Sequence, residues 1–318
     1  MRVLVTGGAG FIGHHLVRAL LERGDTVVVL DDYSTGLRWR LSSFGSSIDL
    51  IEGDLRDPAA VKRATEGAEV VLHQAAIPSV ARSVADPMLS NSVNVDGTIQ
   101  LMLACAAAGV RRVVAAGSSS VYGASPELPR RESQRPDPRS PYAASKLAAE
   151  HYVHALGDLH GIDTVVLRYF NVFGPGQDPE SQYAAVVPRF ITAALSEQRP
   201  IVYGDGRQSR DFTFVDNVVS ANVLAATVPN VKRVTANIGC GGRYDLLDLL
   251  DRIGDAVGAR LDPTFEPSRA GDVRDSEADI SIAREELGYE VTVPFDEGVR
   301  RTVEWYAKQP HRTVGRAS

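Results

Sequence analysis

Val3-Leu4-Val5-Thr6-Gly7-Gly8-Ala9-Gly10-Phe11-Ile12-Gly13 opens the chain and sets its architecture. The β-branched run reads as a strand and the amphipathic His14–Arg23 as a helix, so the glycines occupy a strand-to-helix turn. Such a turn needs residues without Cβ. The helix it opens offers free N–H groups and a positive dipole end to a pyrophosphate. Gly7, Gly10, Phe11, Ile12 and Gly13 are therefore candidate cofactor-binding residues. The next apolar run ends at Leu30-Asp31, where a carboxylate can accept hydrogen bonds from adenosine ribose hydroxyls and would repel a 2′-phosphate. Strand, turn, helix and acid together predict a dinucleotide site for NAD rather than NADP.

Along the rest of the chain, strand candidates are Val3–Val5, Thr26–Leu30, Asp49–Glu52, Val70–His73, Val113–Ala116 and Thr164–Arg168. Helical patterns lie between them at Ile12–Arg23, Ala59–Thr65, Met88–Ala108 and Tyr142–Leu159. This alternation predicts an α/β fold with a Rossmann-type, doubly wound parallel sheet. Beyond Asn171 the pattern is irregular. Helical stretches at Val186–Glu197, Asp216–Ala226, Leu246–Gly258 and Phe295–Ala307 are separated by Gly/Pro-rich joints. The expected organisation is a dinucleotide-binding domain over 1–170 and a smaller mixed α/β lobe over 171–318, with interleaved segments and a cleft between them.

The net charge of −6 argues against a nucleic-acid binder. Only Cys105 and Cys240 are present, so no disulfide framework or zinc spacing arises, and the seven histidines show no metal-ligand pattern. A strand that starts at Arg2 and the lack of an apolar run near about 18 residues point to the cytoplasm. His14 and His15 are expected to be partly exposed on the first helix.

Tyr142-Ala143-Ala144-Ser145-Lys146 places a phenol and an ammonium one helical turn apart. An opposite charge within a few Å lowers a tyrosine pKa from its ordinary ~10, making Tyr142 a candidate base for a hydroxyl proton. Asp54-Leu55 follows the third strand, where an acid can face a cofactor or simply begin a loop. Asn94 falls within a predicted helix, where it reads as a cofactor contact, a helix distortion or a packing residue.

These motifs, with His73-Gln74-Ala75-Ala76, Ser118-Ser119-Ser120-Val121-Tyr122-Gly123, Arg168-Tyr169-Phe170-Asn171-Val172-Phe173-Gly174-Pro175 and Arg210-Asp211-Phe212, resemble in order an extended short-chain dehydrogenase/reductase. The similarity covers nearly the whole chain and is to nucleotide-sugar 4-epimerases acting on UDP-hexoses. It implies that Ser118 bonds the sugar O4 and relays its proton to Tyr142, and that Lys146 holds the nicotinamide ribose and polarises Tyr142. It also implies that Asn171 meets the phosphate side, that Arg210 and Arg269 clamp the pyrophosphate or ribose, and that Asp272 takes the uridine ribose. Ser79, Ser119 and Ser120 join the substrate set, and Asp54, Leu55, Ala75 and Asn94 the NAD set. Guanidinium groups suit a diphosphate because they bind it bidentately.

The related sugar dehydratases carry Thr-Asp-Glu where this chain has Ser118-Ser119-Ser120, and serines cannot supply their acid–base pair. Reversible oxidation at C4, with inversion, is the expected chemistry. Asp178, in Gly174-Pro175-Gly176-Gln177-Asp178-Pro179, would repel a glucuronate carboxylate, and the small Ser276 stands where the family gates N-acetyl groups. UDP-glucose and UDP-galactose, together with their N-acetyl analogues, are therefore expected. A UDP-glucuronate 4-epimerase and a non-catalytic NAD-binding regulator remain alternatives, and no residue visibly excludes a dTDP handle. Apolar stripes on Met88–Ala108 and Tyr142–Leu159 imply, by the same resemblance, a homodimer.

Overall fold

Strands that must be buried on both faces read as near-continuous Val/Leu/Ile runs, and such runs form most of the central sheet. The computed structural model describes residues 1–179, 185–268 and 274–309. Its main strands are β1 (Arg2–Thr6), β2 (Thr26–Asp31), β3 (Ile48–Glu52), β4 (Val70–His73), β5 (Arg112–Ser118), β6 (Asp163–Tyr169) and β7 (Arg233–Ile238). They form one parallel sheet in the order β7-β6-β5-β4-β1-β2-β3. The order reverses between β1 and β4, and ligands of open α/β sheets bind at the carboxyl ends of strands at such a switch point.

Helices cover both faces. On one side α1 (Phe11–Glu22) packs Leu16, Val17 and Leu20 against Val3, Val5, Val27 and Val29. On the other, α2 (Pro58–Thr65), α3 (Gly97–Ala108) and α4 (Pro141–His160) bury Ala60, Leu101, Cys105 and Val153 against Leu4, Val28, Val71 and Val113. A separate core built on Phe173, Phe190, Phe212, Phe214 and Phe295 joins α5 (Val186–Leu195), α7 (Leu246–Val257) and α8 (Phe295–Lys308). Between these cores, α6 (Val215–Thr227) packs on the sheet through Val218, Ala221 and Ala225.

The helical stretch expected over Met88–Ala108 is three segments, Pro87–Asn91, a π-helical turn at Ser92–Asp96, and α3. Asn94, at the centre of that turn, is fully buried and explains the departure: its Oδ1 accepts from Ile77 N at 2.7 Å and its Nδ2 donates to Ser145 Oγ at 3.0 Å. Widening one helical turn turns this side chain inward, a use typical of π-bulges. Short helices at Trp39–Ser42, Val80–Ala85 and Ser281–Leu287, and the strand β7, have no counterpart in the sequence expectations.

His14 and His15 are buried, contrary to expectation. His14 Nδ1 donates to Gly10 O at 3.0 Å, and His15 Nε2 donates to Pro175 O at 2.8 Å, so a distant loop covers this face of α1. Burial lowers His14 to about 4 and His15 to about 3. His73 is likewise pushed down to about 3 and His154 to about 4, burial leading in both cases. These rings stay neutral in the native state while the unfolded chain takes up their protons near pH 6.5, so stability falls as pH drops from about 6.5 toward 4. Each contributes up to about 1.4 kcal/mol per pH unit in that window. Asp211, raised to about 6 by burial, opposes part of the loss. Urea unfolding is expected to give a clearly lower midpoint at pH 5 than at pH 7; equal midpoints would show that these rings are not held neutral.

Candidate active site

β1 delivers the chain into its glycine turn at the switch point. Gly7 has φ +70°, and a Cβ there would lie 2.7 Å from Ala75 N, in the loop that leaves β4. A Cβ on Gly13 would meet Gly7 O at 2.1 Å, so the first turn of α1 presses directly on the glycine turn. Gly10 caps α1 without any side-chain bond, which leaves the first helical N–H groups facing outward for an anion. Phe11 and Ile12, half-buried, stand in that first turn. Gly7, Asp31, Asp54, Leu55 and Ala75 line one cleft, so the structure brings together five of the positions expected for the cofactor.

Asp31 ends β2. Its carboxylate accepts from Ala9 N at 2.9 Å and from Tyr33 N at 2.8 Å, which locks the glycine turn to the strand end. Burial, its largest influence, raises its pKa. Asp32 follows it on the exposed side, so the end of β2 carries two adjacent acids that disfavour a phosphate there. Asp54 is half-buried and ion-paired with Arg56 at 2.5 Å, while Leu55 is buried. These residues fit a bound NAD: a cradle that any side chain would fill, free helix N–H groups and a carboxylate at the end of the second strand.

The catalytic candidates converge from three elements. Ser118 is the last residue of β5, its Oγ 2.8 Å from Ser120 Oγ and accepting from Ser120 N at 3.2 Å. Ser119 and Ser120 open the following 3-10 turn. Tyr142 and Lys146 lie in the first turns of α4, whose N-cap Ser140 accepts from Ala143 N at 3.1 Å and whose Pro141 is preset for a helix start. The fully buried Ser83 accepts from Tyr142 N at 2.9 Å and anchors that helix end.

The electrostatics correct one sequence expectation. Tyr142 is raised, not lowered: burial dominates, and a hydrogen bond to Ser118 only partly offsets it. Lys146 is itself buried and lowered to about 8, with Glu150 pulling the other way. The protein alone thus holds Tyr142 as a phenol, linked through Ser118 to the site where a sugar hydroxyl would arrive.

Beneath the pair runs a buried polar chain that the sequence motifs contained without revealing. Glu150, one turn beyond Lys146, takes Arg168 bidentately at 2.5 and 3.0 Å. Arg168 also donates to Tyr122 Oη at 2.8 Å, and Tyr122 donates to Asn237 Oδ1 at 2.6 Å. The i, i+4 spacing of Lys146 and Glu150 was a usable signal. The partnership with Asn237 on β7 was not, since that strand lies far along the chain.

On the opposite wall, Asn171 has φ +33° and donates from Nδ2 to Asp211 O at 3.1 Å. Arg210 donates to Ser209 O and to Arg274 O, both at 2.9 Å, and Ser276 N donates to Ser209 O at 3.1 Å. Asn171, Arg210 and Ser276 therefore share one cluster. Ser79 sits apart from it, capping Val80–Ala85 through Arg82 N at 3.2 Å. Arg269 and Asp272 lie outside the described residues. Asn94, expected near the cofactor, has its amide engaged with Ile77 and Ser145. Arg40 Nη2 donates to Gly176 O at 2.7 Å, and the Asp178 charge partly offsets the burial that lowers this guanidinium. Arg40 escaped the sequence expectations and His15 was expected to be partly exposed; together they tie the loop at Pro175 and Gly176 to α1 and the glycine turn.

Residues 3–239 match the model of the NAD dependent epimerase/dehydratase family. A UDP-glucose 4-epimerase of Mycolicibacterium smegmatis is 42% identical over 310 residues, covering 96% of this chain and 98% of the relative. The solved UDP-N-acetylglucosamine 4-epimerase of Methanobrevibacter ruminantium, in complex with UDP-N-acetylmuramic acid, superposes with a TM-score of 0.89 at 38% identity, over 96% of this chain and 97% of that one. The UDP-glucuronic acid 4-epimerase of Bacillus cereus, with UDP-glucuronic acid and NAD, gives 0.88 at 32% identity, over 96% and 98%.

Proposed function

The chain belongs to the NAD dependent epimerase/dehydratase family, and on that footing we propose that it inverts C4 of a UDP-hexose through a 4-keto sugar. The observation that carries this reading is the Ser118–Tyr142 link at the carboxyl end of the sheet, with hydroxyls rather than carboxylates at Ser118, Ser119 and Ser120. A loop of serines can relay a proton, but it cannot provide the acid and base that removal of a neighbouring hydroxyl demands.

NAD, when bound, supplies an acceptor for the C4 hydrogen and its electron pair and then gives both back. The chain's own residues do the rest. Tyr142 takes the O4 proton, with the Ser118 hydroxyl as relay. Lys146, at about 8, carries its charge at neutral pH and favours the phenolate that forms. On the return, Tyr142 gives the proton back to O4. Inversion requires the keto sugar to present its other face, which a substrate anchored through its diphosphate can do. Arg210 and Asn171, with Arg269 and Asp272, are proposed as that anchor, and Ser79, Ser119 and Ser120 as sugar-side contacts. Gly7 to Gly13, Asp31, Asp54, Leu55 and Ala75 are proposed to hold NAD, and Asn94 to shape its wall.

Residues 1–170 form the proposed cofactor domain and 171–318 the sugar lobe, with Arg233–Ile238 returning to the main sheet as β7. The small Ser276, half-buried in the Arg210 cluster, supports acceptance of N-acetyl sugars beside UDP-glucose and UDP-galactose. A homodimer is proposed through the helices on the α3–α4 side, where Val84, Met88, Leu103 and Tyr152 are exposed and Met88 is 77% accessible.

Tyr142→Phe should cut turnover by about a thousandfold or more while the purified protein still releases NAD on denaturation; near-normal turnover would sink the mechanism. Assayed side by side, UDP-glucose and UDP-N-acetylglucosamine should both be converted, and activity confined to UDP-glucuronate would overturn the substrate reading. Light scattering should give twice the chain mass for the wild type and a monomer for Met88→Asp/Leu103→Asp; a monomeric wild type would refute the dimer.

A further inference from the structure

Asp211 stands beside Arg210 in sequence, and its side chain is fully buried. Its Oδ1 accepts from Cys240 N at 2.8 Å, and its Oδ2 accepts from Gly241 N at 3.0 Å and Ala278 N at 3.1 Å. Its own carbonyl accepts from Asn171 Nδ2 at 3.1 Å. A methyl group on Gly239 would lie 2.6 Å from Ala278 Cβ and 2.7 Å from Oδ2, so the chain after β7 packs tightly against both this carboxylate and the segment it holds. Next to it, Ser209 N and Arg210 Nη1 donate to Arg274 O at 3.0 and 2.9 Å, Ser276 N donates to Ser209 O at 3.1 Å, and Ser209 Oγ contacts Asp275. Three separate segments, around 171, 239–241 and 274–278, therefore converge on 209–211.

We propose that Asp211 is the positioning residue of the nucleotide-sugar half of the cleft. Its carboxylate, accepting from the backbone N–H groups of Cys240, Gly241 and Ala278, and its carbonyl, accepting from Asn171, together fix where Asn171, Arg210 and Ser276 stand relative to one another, and so set the affinity for the diphosphate sugar. The NAD half is held by different bonds, those of Asp31, Gly7 and Gly13, and does not depend on it. This inference rests on the UDP-sugar reading of the site and deepens it.

The isosteric Asp211→Asn tests it, because an amide offers one acceptor oxygen and turns its other arm into a donor. At least one of the three backbone N–H groups then loses its partner in a buried place. The KM for UDP-glucose should rise about tenfold or more, and the Kd for UDP measured by calorimetry should rise by a similar factor. NAD content per chain should stay at the wild-type value and kcat should change far less than KM. Gly239→Ala leaves every acceptor in place while pressing on Oδ2 and on Ala278, whose N–H the same carboxylate holds, and should shift KM and the UDP Kd in the same direction by a smaller factor. A lowered kcat at unchanged KM, a loss of NAD, or failure of both variants to fold would overturn the proposal, since each makes Asp211 a general stability residue. If the wild type converts no UDP-sugar, the 4-epimerase reading fails on its own, and the UDP calorimetry still decides the role of Asp211.

Discussion

Two buried charges, Glu150 on α4 and Arg168 on β6, meet between helix and sheet, and the surrounding structure is arranged so that neither is left unpaired. Removing one partner of such a pair costs about 3–5 kcal/mol, because the other remains desolvated and uncompensated. Both arms of the guanidinium fork reach the carboxylate, and the remaining donor finds Tyr122, which in turn holds Asn237. Asn237 Nδ2 then donates to Arg130 O at 2.9 Å and Asp279 O at 3.2 Å, and its N–H donates to Glu132 at 2.6 Å. A single charge requirement thereby fixes α4, the ends of β5, β6 and β7, and the loops on the substrate side in one register. Lys146 stands one turn from Glu150, whose charge partly offsets the burial that lowers this ammonium.

The other fixed point is the crossing from β1 to β4. Parallel strands with helices on both faces leave a crevice where the strand order reverses, and here the glycine turn and the Gln74-Ala75-Ala76 loop approach until only glycine fits. The cofactor end of the cleft is thus built by exclusion of side chains. The proposed sugar end is built by hydrogen bonds, with Asp211 holding the segments at 240–241 and 278 beside Arg210 and Asn171. The two ends answer to different physics, so substitutions at one should leave the other largely intact.

Much of this was legible in the chain. The periodic strands and the helices α1, α2, α4, α5, α6, α7 and α8 follow their apolar patterns to within a few residues, and the glycine turn with Asp31 announces its own geometry. What stayed hidden has a common cause. β7 has a mixed pattern, since Arg233 is exposed and Val234 and Thr235 are half-buried, so no Val/Leu/Ile run marks it. The π turn at Asn94 exists because Ile77 and Ser145, both remote in sequence, need that amide. The burial of His14 and His15 depends on a loop at 175–176 that no local pattern links to α1. The spacing of Tyr142 and Lys146 implied a lowered phenol, whereas burial raises it, because spacing reports charge and not desolvation.

Everything proposed for the cleft requires that hydrogen leave C4 and return to it within one closed site. UDP-glucose carrying deuterium at C4, converted by the wild-type protein in ordinary water, tests that requirement. The epimeric product should keep its deuterium at C4 and gain none of the solvent's hydrogen there. Loss of the label to solvent would contradict the mechanism, because inversion would then proceed through exchange of a C4 proton with water.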